Sequence, residues 1–563
     1  MGLPLIDGVG HVTSLFPRLT RVAAPSYRSF YWSDQYRATL TTPSPPCTAR
    51  PLGAAPVTTT PRRLALAATA LLSALALSAC SAGAGNSSSS GAGTEAHDPT
   101  AIVGLTGEPA NFDFTTTAGA AIPQALMNNV YEGLVAVDQD GELQPKLATS
   151  WTVSDDGLEY DFVLEEGVTF SNGAEFTADD VKFSLERVKT DWKINQAKMA
   201  VLDRVDVVSP TEAKVVLTRP SNSWLFDMGG SVGLMFDESG VADLANTPVG
   251  SGPYTVTERV TGDHISLAAR DGYWGEAPAV TDVTLRYFAD AVASTNALRA
   301  GDVDMLYNMQ APDLVAQFET NDEYQVIQGT SNGEIMLSMN NAEAPFDDLR
   351  IRQAIAYALD RQAIIDTAWA GYGELIGAMV PPTDPYYEDL TDEYAYDPEK
   401  ARELLAEAGA EDLSITFDVP TRPYATAVSE VVVSQLAEVG IDATIASDEF
   451  PAVWLDKVFT RHDYEMSVIL AVEPRDFLAN FGDPEYYLGY DDPDVVTKAT
   501  AADAASQEEW VAGMKDVVAE VATDVPAVPL FLFPNIVIAD SGLTGIAGNS
   551  VTESLDLTGL AWS

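Results

Sequence analysis

The chain has 563 residues, 46% of them hydrophobic, and its 83 Asp and Glu outnumber its 31 Lys and Arg to give a formal net charge of -52. This length and apolar content predict two or three folded domains, and the negative charge argues against binding to nucleic acid or to an anionic membrane surface by charge attraction. Zinc ribbons and disulfide frameworks are excluded because they need more cysteines than Cys47 and Cys80.

Residues 62–80 have the layout of a bacterial export signal. Arg62 and Arg63 precede an apolar run that is too short for a comfortable membrane span, and the segment ends in Leu-Ser-Ala-Cys at Cys80. This ending resembles a bacterial lipobox. We therefore expect 62–79 to be a lipoprotein signal peptide and Cys80 to carry fatty-acyl chains such as palmitate. A secretory signal that ends in cysteine by chance is the alternative.

The segments on either side of this signal contain little that could form a core. Residues 1–61 are rich in Pro, Thr and Ser, and no methionine lies between Met1 and Met127. Our hypothesis is that translation begins near Val57, so that 1–56 of the 1–61 leader result from a misplaced gene start. Residues 80–99 are predicted to be a Gly/Ser tether that holds the folded body at the outer face of the bacterial cytoplasmic membrane.

The folded body is predicted to begin with a region of strands and tight turns. Apolar residues alternate over 158–164 as on one face of a strand. Thr177, with Asp180 three residues later, predicts a capped helix. Dipeptides that favour hairpin turns occur at Asp140-Gly141, Asp156-Gly157 and Asn172-Gly173.

Later segments alternate between helical and strand patterns. The apolar spacing in LRIRQAIAYALDRQAIID (349–366) predicts one helix, and residues 397–409 predict another because they begin with Asp-Pro and end in Gly. Strand patterns at 413–419 and 441–445 flank a helical pattern at 425–439. This order predicts a parallel strand–helix–strand unit, and so an α/β fold.

Motifs for catalysis and metal binding are weak. Residues 229–233 fit G-x-S-x-G, but without the strand, sharp turn and helix of a nucleophile we interpret them as a Gly-rich loop. Residues 138–141 imitate the start of a calcium loop, yet Thr149 occupies the position where a glutamate is required, so a hairpin turn is predicted. The histidines stand singly. The sequence predicts no metal site and no cofactor.

Several segments together resemble the extracellular solute-binding proteins of family 5, the peptide/nickel-type binding components of ABC importers. Residues 131–188, which include LATSWTVSDDGLEYDF, match the family's signature stretch nearly throughout, and VGSGPY (249–254) is similar to its GTGPY turn. Segments at 344–365, 396–409 and 434–445 follow in the family's order.

The resemblance implies an α/β, two-lobed fold of the periplasmic-binding-protein type (type II, cluster C), with an extra β-rich subdomain in lobe one. The chain would cross between the lobes near 334–340 and 528–533. The expected boundaries are 100–135, 236–338 and 526–563 for lobe one, 136–235 for the inserted subdomain, and 339–525 for lobe two.

The resemblance also implies that the protein is no enzyme. It would capture a peptide or related small solute between two hinged lobes and deliver it to ABC permease subunits and their ATPases. We expect a monomer that meets the membrane through its lipid anchor only. An oligosaccharide- or opine-binding member of the same family is one alternative, and an exported carboxylate-dependent hydrolase is an alternative from another class.

A zwitterionic ligand buried between two lobes needs a fixed opposite charge at each end, because each of its charges loses hydration. Arg422 follows the strand pattern at 413–419, at the carboxyl end where open α/β sheets place ligands. It resembles the arginine that binds the peptide carboxylate in dipeptide-binding members. The alternative is a surface arginine that packs on Tyr424.

For the ligand's ammonium group, Asp476 is the best counterpart of an aspartate found in relatives, and Glu473 is the next. Residues 471–490 depart from the family's W-x-x-D-x-x-D-P pattern, so an amino-sugar conjugate, an opine-like compound or a cationic solute also stays open. Tyr424 and Trp454 are candidates for aromatic walls.

Overall fold

The computed structural model describes residues 99–117 and 119–563. The predicted leader, the signal peptide at 62–79 and Cys80 lie outside this range. Within it, the strands form three main sheets of seven, five and four strands, together with two strand pairs. The described helices include none that is both long and apolar enough to span a bilayer.

The seven-stranded sheet draws on both ends of the described chain. Thr100–Leu105 pairs in parallel with Asp282–Tyr287 and with Met305–Leu306, and Asn535–Asp540 returns antiparallel beside Met305–Leu306. This return brings the C-terminal segment back to the first described strand. In order across the sheet, the strands are Tyr324–Gly329, Asn535–Asp540, Met305–Leu306, Thr100–Leu105, Asp282–Tyr287, His264–Ala269 and Tyr254–Val260.

The four-stranded sheet is antiparallel and contains the predicted strand over 158–164, here Glu159–Leu164. The predicted turns are confirmed, since Gly141, Gly157 and Gly173 all adopt positive φ. The predicted helix start is also confirmed, because Thr177 and Asp180 form a capping box on Ala178–Thr190. In order, the strands are Ala148–Val153, Glu159–Leu164, Glu212–Leu217 and Leu202–Ser209.

The five-stranded sheet is mixed. Ser414–Pro420 and Asp442–Asp448 are parallel, with helix Pro423–Glu438 between them in sequence, which confirms the predicted strand–helix–strand unit. Strand Glu334–Met339 pairs antiparallel with both of its neighbours. In order, the strands are Asp442–Asp448, Ser414–Pro420, Met466–Ala471, Glu334–Met339 and Ala527–Leu532.

The single helix predicted over 349–366 is wrong, because the structure has two helices, Leu349–Ala358 and Arg361–Ala368. Leu359 is extended, and the Asp360 side chain accepts a hydrogen bond from the backbone N–H of Ala363. Asp360 thus caps a new helix while the apolar spacing continues across the break.

The helix predicted over 397–409 begins and ends at its predicted capping residues. Asp397 caps Pro398–Ala408, and Gly409 ends that helix at a φ of 71°. The remaining α-helices are Ala121–Leu126, Asn222–Asp227, Ala291–Ala300, Ala316–Glu319, Ala452–Trp454, Phe477–Phe481, Pro493–Asp503 and Gln507–Asp524. Short 3₁₀ or π turns are Gln196–Met199, Ser231–Gly233, Glu238–Asp243, Pro312–Leu314 and Leu455–Thr460.

The hydrophobic cores divide the described chain into two lobes. The seven- and four-stranded sheets share one continuous apolar core, and we call them the first lobe. The five-stranded sheet packs separate cores on its two faces and forms the second lobe. Two short links join the lobes: 330–333 leads from one strand of the first lobe into Glu334–Met339, and 533–534 leads from Ala527–Leu532 back to the first lobe. The residue boundaries expected for the domains stay a prediction.

Candidate functional site

A cavity of about 320 Å³ lies at the two links between the lobes. Both links line this cavity, the first through Ser331, Asn332 and Gly333 and the second through Phe533 and Pro534. This volume is at the lower end of the range for small-molecule pockets, roughly 300–1,000 Å³. The cavity therefore suits a small solute that touches the links and both lobes at once.

Each lobe contributes one carboxylate to the lining, and these two are the charged side chains among the described lining residues. Glu473 follows strand Met466–Ala471 of the second lobe. Glu553 comes from the C-terminal segment, where the backbone N–H of Leu555 bonds to the Gln124 carbonyl of the first lobe. The rest of the lining is apolar or neutral and polar.

The environment of Glu553 opposes its ionisation. Burial raises the pKa of Glu553, and the Glu473 carboxylate raises it further, whereas Lys198 and a hydrogen bond from Ser231 act in the opposite direction. The two glutamates line the same cavity from opposite lobes, and the charge of Glu473 disfavours ionisation of Glu553.

A second group of acids, Glu334, Asp384 and Asp476, lies next to the lining residues Gly333 and Glu473. Glu334 is only 1% exposed, and its Oε1 has no hydrogen-bond partner. Burial raises the pKa of Glu334 well above its ordinary value, and Asp476, Asp384 and Glu473 raise it further. Glu334 is therefore held towards its neutral, protonated form beside the second-lobe wall of the cavity.

Arg475 is the cation inside this acidic group. Its Nε lies 3.5 Å from Asp384 Oδ1, and its guanidinium carbon lies 3.4 Å from the centre of the Phe226 ring in the first lobe. Burial raises the pKa of Asp384 to about 6, although Arg475 acts to lower it. Arg475 thus links an acid of the second lobe to an aromatic ring of the first.

Of the five ligand-binding residues predicted from the sequence, Glu473 lines the cavity and the other four do not. Arg422 is exposed at the start of helix Pro423–Glu438, with its guanidinium carbon 4.7 Å from the Phe450 ring centre. It forms no ion pair with the described residues. Asp476 lies in the acidic group behind the wall, where burial and then Glu473 raise its pKa.

Of the two predicted aromatic residues, Tyr424 supports the cavity from behind, and Trp454 lies in an aromatic cluster outside the lining. The Tyr424 hydroxyl accepts a hydrogen bond from Leu470 N at 3.1 Å, burial raises its pKa to about 12, and its ring packs against Phe533. Both Leu470 and Phe533 line the cavity. Trp454 is 3% exposed, and its Nε1 donates to Ser467 Oγ at 3.0 Å inside an aromatic cluster. The ligand-binding roles of all five residues stay predictions.

Sequence reasoning missed Glu553 and Asn535, which both line the cavity. Neither belongs to a motif that suggests binding. The one available signal was the expected return of 526–563 to lobe one, which places C-terminal residues near the cleft without saying which side chains face it.

A contact between the lobes centres on Asp503, the last residue of helix Pro493–Asp503. Arg219 Nη1 lies 2.7 Å from Asp503 Oδ2, and both the N–H and the hydroxyl of Ser223 donate to Oδ1. Asn222 Nδ2 donates to the backbone carbonyls of Asp503 and Ala505. One carboxylate of the second lobe thus holds a loop of the first.

No cluster of three His, Cys, Asp or Glu side chains among the described residues is placed to hold a metal ion. Ser231 of the G-x-S-x-G match starts a 3₁₀ turn after a loop, as the loop interpretation predicts.

Known proteins share this sequence pattern and fold. Residues 142–491 match the model of the bacterial extracellular solute-binding proteins, family 5 Middle. The glutathione-binding protein GsiB of Salmonella paratyphi A is 30% identical over 348 residues, which cover 60% of this chain and 68% of that protein.

Solved structures confirm the predicted two-lobed α/β fold. The ABC transporter substrate binding protein CtaP of Listeria monocytogenes superposes with a TM-score of 0.75 at 23% identity, over 83% of this chain and 99% of that chain. The oligopeptide-binding protein AppA of Bacillus subtilis, solved with a nonapeptide, gives 0.70 at 22% identity over 83% and 99%. The chain belongs to the bacterial extracellular solute-binding proteins of family 5, as its sequence segments predicted.

Proposed function

We propose that this protein captures a peptide or related small solute between its lobes and delivers it to the permease of an ABC importer. The cavity at the two links carries this proposal, because a solute bound there touches both lobes only when they are closed. Such a ligand binds the closed arrangement more tightly than the open one and so shifts the population towards it. The match to GsiB, named for binding the peptide glutathione, supports a ligand of this class.

The same proposal covers location and assembly. The protein is exported by the signal at 62–79, acylated at Cys80 and kept at the outer face of the cytoplasmic membrane by the 80–99 tether. It acts as a monomer on permease subunits and their ATPases and makes or breaks no bond in its solute. Family membership supports export, and the Leu-Ser-Ala-Cys ending supports the anchor.

Native mass spectrometry of the purified full-length protein is the direct test of solute capture. We expect a small molecule to leave the protein on activation, and we expect its re-addition to reduce the radius of gyration in X-ray scattering. A protein that releases nothing, and whose scattering does not change with peptides, sugars or chelates, would contradict the proposed function.

Arg422→Ala tests the predicted carboxylate anchor. For this role the guanidinium must leave the Phe450 ring and enter the closed cleft, and its loss should then weaken a carboxylate-bearing ligand by about 2–4 kcal/mol. Titration calorimetry measures the change, with Arg402→Ala as a control because Arg402 is also exposed and its Nη1 donates to the Glu438 carbonyl. Equal affinity of wild type and Arg422→Ala would exclude the anchor.

A further inference from the structure

The C-terminal strap, which we define as residues 548–551, runs beside the first link between the lobes. The backbone N–H of Ser550 donates to the Thr330 carbonyl at 2.8 Å, and the N–H of Asn332 donates to the Ser550 carbonyl at 3.3 Å. Asn332 Nδ2 also donates to the Val551 carbonyl at 2.8 Å. A parallel β-bridge lies at the centre of this pairing. The first three residues of the link are therefore paired with the strap like two short strands.

The strap itself is held by the first lobe. The backbone N–H of Asn549 donates to Gln139 Oε1 at 2.8 Å, and Gln139 lies in the turn of a strand pair of that lobe. Asn535, at the start of a strand in the seven-stranded sheet, donates through Nδ2 to the Gly548 carbonyl at 2.8 Å. The backbones also touch, since a Cβ at Gly329 would lie 1.9 Å from the Gly548 carbonyl oxygen.

The side chain of Asn549 joins the strap to the link. Its Oδ1 accepts a hydrogen bond from the Thr330 N–H at 3.0 Å, and its Nδ2 donates to the Gln139 carbonyl at 2.7 Å. An amide that is bonded through both its oxygen and its nitrogen is held in one orientation. One side chain thus fixes the first residue of the link to a turn of the first lobe.

The far ends of the two links are held by other parts of the fold. Phe533 lies in a core of the second lobe, with its ring centre 4.6 Å from that of Trp369. Glu334 begins a strand that pairs on both sides in the second lobe. Gly333 and Pro534 therefore each lie between a residue held by one lobe and a residue held by the other. The N–H of Phe533 donates to the Gly333 carbonyl at 2.5 Å, so these two residues lie side by side.

We propose that the C-terminal strap is a third element of the hinge, which confines the rotation of the lobes to Gly333 and Pro534, with Asn549 as its positioning residue. Rotation within 330–332 would break the hydrogen bonds to the strap, and rotation at Phe533 would expose its ring. Gly333 is free of both restraints and has the widest choice of φ and ψ. This inference rests on the proposed capture between moving lobes and adds where they pivot.

Asn549→Ala tests the strap in the ligand-free, full-length protein. The variant loses the bonds to Thr330 and to the Gln139 carbonyl. We expect the N–H groups of Thr330 and Asn332 to exchange with deuterium about tenfold faster, while exchange in strand Glu334–Met339 stays that of wild type.

Lobe movement is measured in the same variant between two nitroxide labels. The labels are attached to p-acetylphenylalanine at the exposed positions Glu212 and Glu403, one in each lobe, which leaves the cysteines untouched. Electron–electron resonance should show a broader distribution of distances in Asn549→Ala. Asn246→Ala is the control, because Asn246 is an exposed asparagine of the first lobe that bonds to Asp243 away from the links.

Gly333→Ala tests the pivot. A Cβ at Gly333 would lie 3.0 Å from Ser331 Oγ and 3.1 Å from both Leu470 Cδ1 and Phe533 Cβ. This crowding opposes the arrangement of the links seen here, so we expect a larger mean distance between the labels. Gly107→Ala is the matched control, because a Cβ there would meet only Ala121 Cβ, at 4.0 Å.

Three results would each overturn the inference: wild-type exchange of Thr330 and Asn332 in Asn549→Ala, a wild-type distribution of distances in that variant, or a wild-type mean distance in Gly333→Ala. Faster exchange throughout the first lobe of Asn549→Ala would also overturn it, because Asn549 would then stabilise the lobe as a whole. These measurements need no solute. If no solute co-purifies, solute capture fails while the assignment of the hinge stands, and a solute that closes the lobes leaves capture standing whatever the strap does.

Discussion

Glu334→Gln is expected to stabilise the ligand-free protein at neutral pH and to reduce the pH dependence of its stability. Glu334 is buried in strand Glu334–Met339 with its Oε1 unpartnered, and burial raises its pKa well above the ordinary value of 4.5. A carboxyl with a raised pKa favours the folded state fully below the unfolded pKa. As the pH rises from there towards the folded pKa, that stability is lost at about 1.4 kcal/mol per pH unit.

Glutamine has the shape of the protonated acid and does not titrate, so the variant avoids this loss. Melting temperatures at pH 5 and pH 8 measure the effect, and the gain over wild type should be larger at pH 8. Glu449→Gln is a suitable control because Glu449 is an exposed acid in the same lobe. A variant that is less stable than wild type at pH 8 would mean that the ionised carboxylate has a stabilising partner.

Local chain chemistry explains which parts of the fold were predictable. A helix cap acts within three or four residues, so Thr177 with Asp180, and Asp397 with Gly409, marked helix ends that the structure confirms. The break at Asp360 was missed because apolar residues keep the helical spacing on both sides of it. There the competing signal was a single capping aspartate inside an otherwise continuous pattern.

The site was less predictable because it is assembled from distant segments. Strand order placed Arg422 and Tyr424 at the carboxyl end of Ser414–Pro420, yet that position alone does not decide whether a side chain faces the cleft, the core or solvent. Tyr424 supports the cavity wall and Arg422 lies on the surface. Glu553 reaches the cavity only because Asn535–Asp540 rejoins the first lobe, which no local pattern near Glu553 reveals.

The lobes meet with opposite electrostatic character at the cavity and at Asp503. Glu473 and Glu553 bring like charges together at the cavity. Asp503 meets Arg219 and two serine hydroxyls at a site outside the cavity lining, where its carboxylate is 8% exposed on the side chain. None of the residues in the contact at Asp503 lines the cavity, so this contact should stabilise the closed arrangement independently of the solute.

Asp503→Ala is accordingly expected to separate the lobes. The change leaves Arg219, Ser221 and Ser223 without the carboxylate they donate to, and the loss of a largely buried charge with several hydrogen bonds corresponds to about 2–4 kcal/mol. Because the contact joins two lobes that have their own cores, the energy is lost from closure rather than from the folding of either lobe. We expect a larger radius of gyration and weaker binding of the co-purified solute, with little change in circular dichroism.

Asp494→Ala is the control, because Asp494 is an exposed acid at the other end of the same helix. An unchanged radius of gyration and an unchanged affinity in Asp503→Ala would show that the contact does not hold the lobes together.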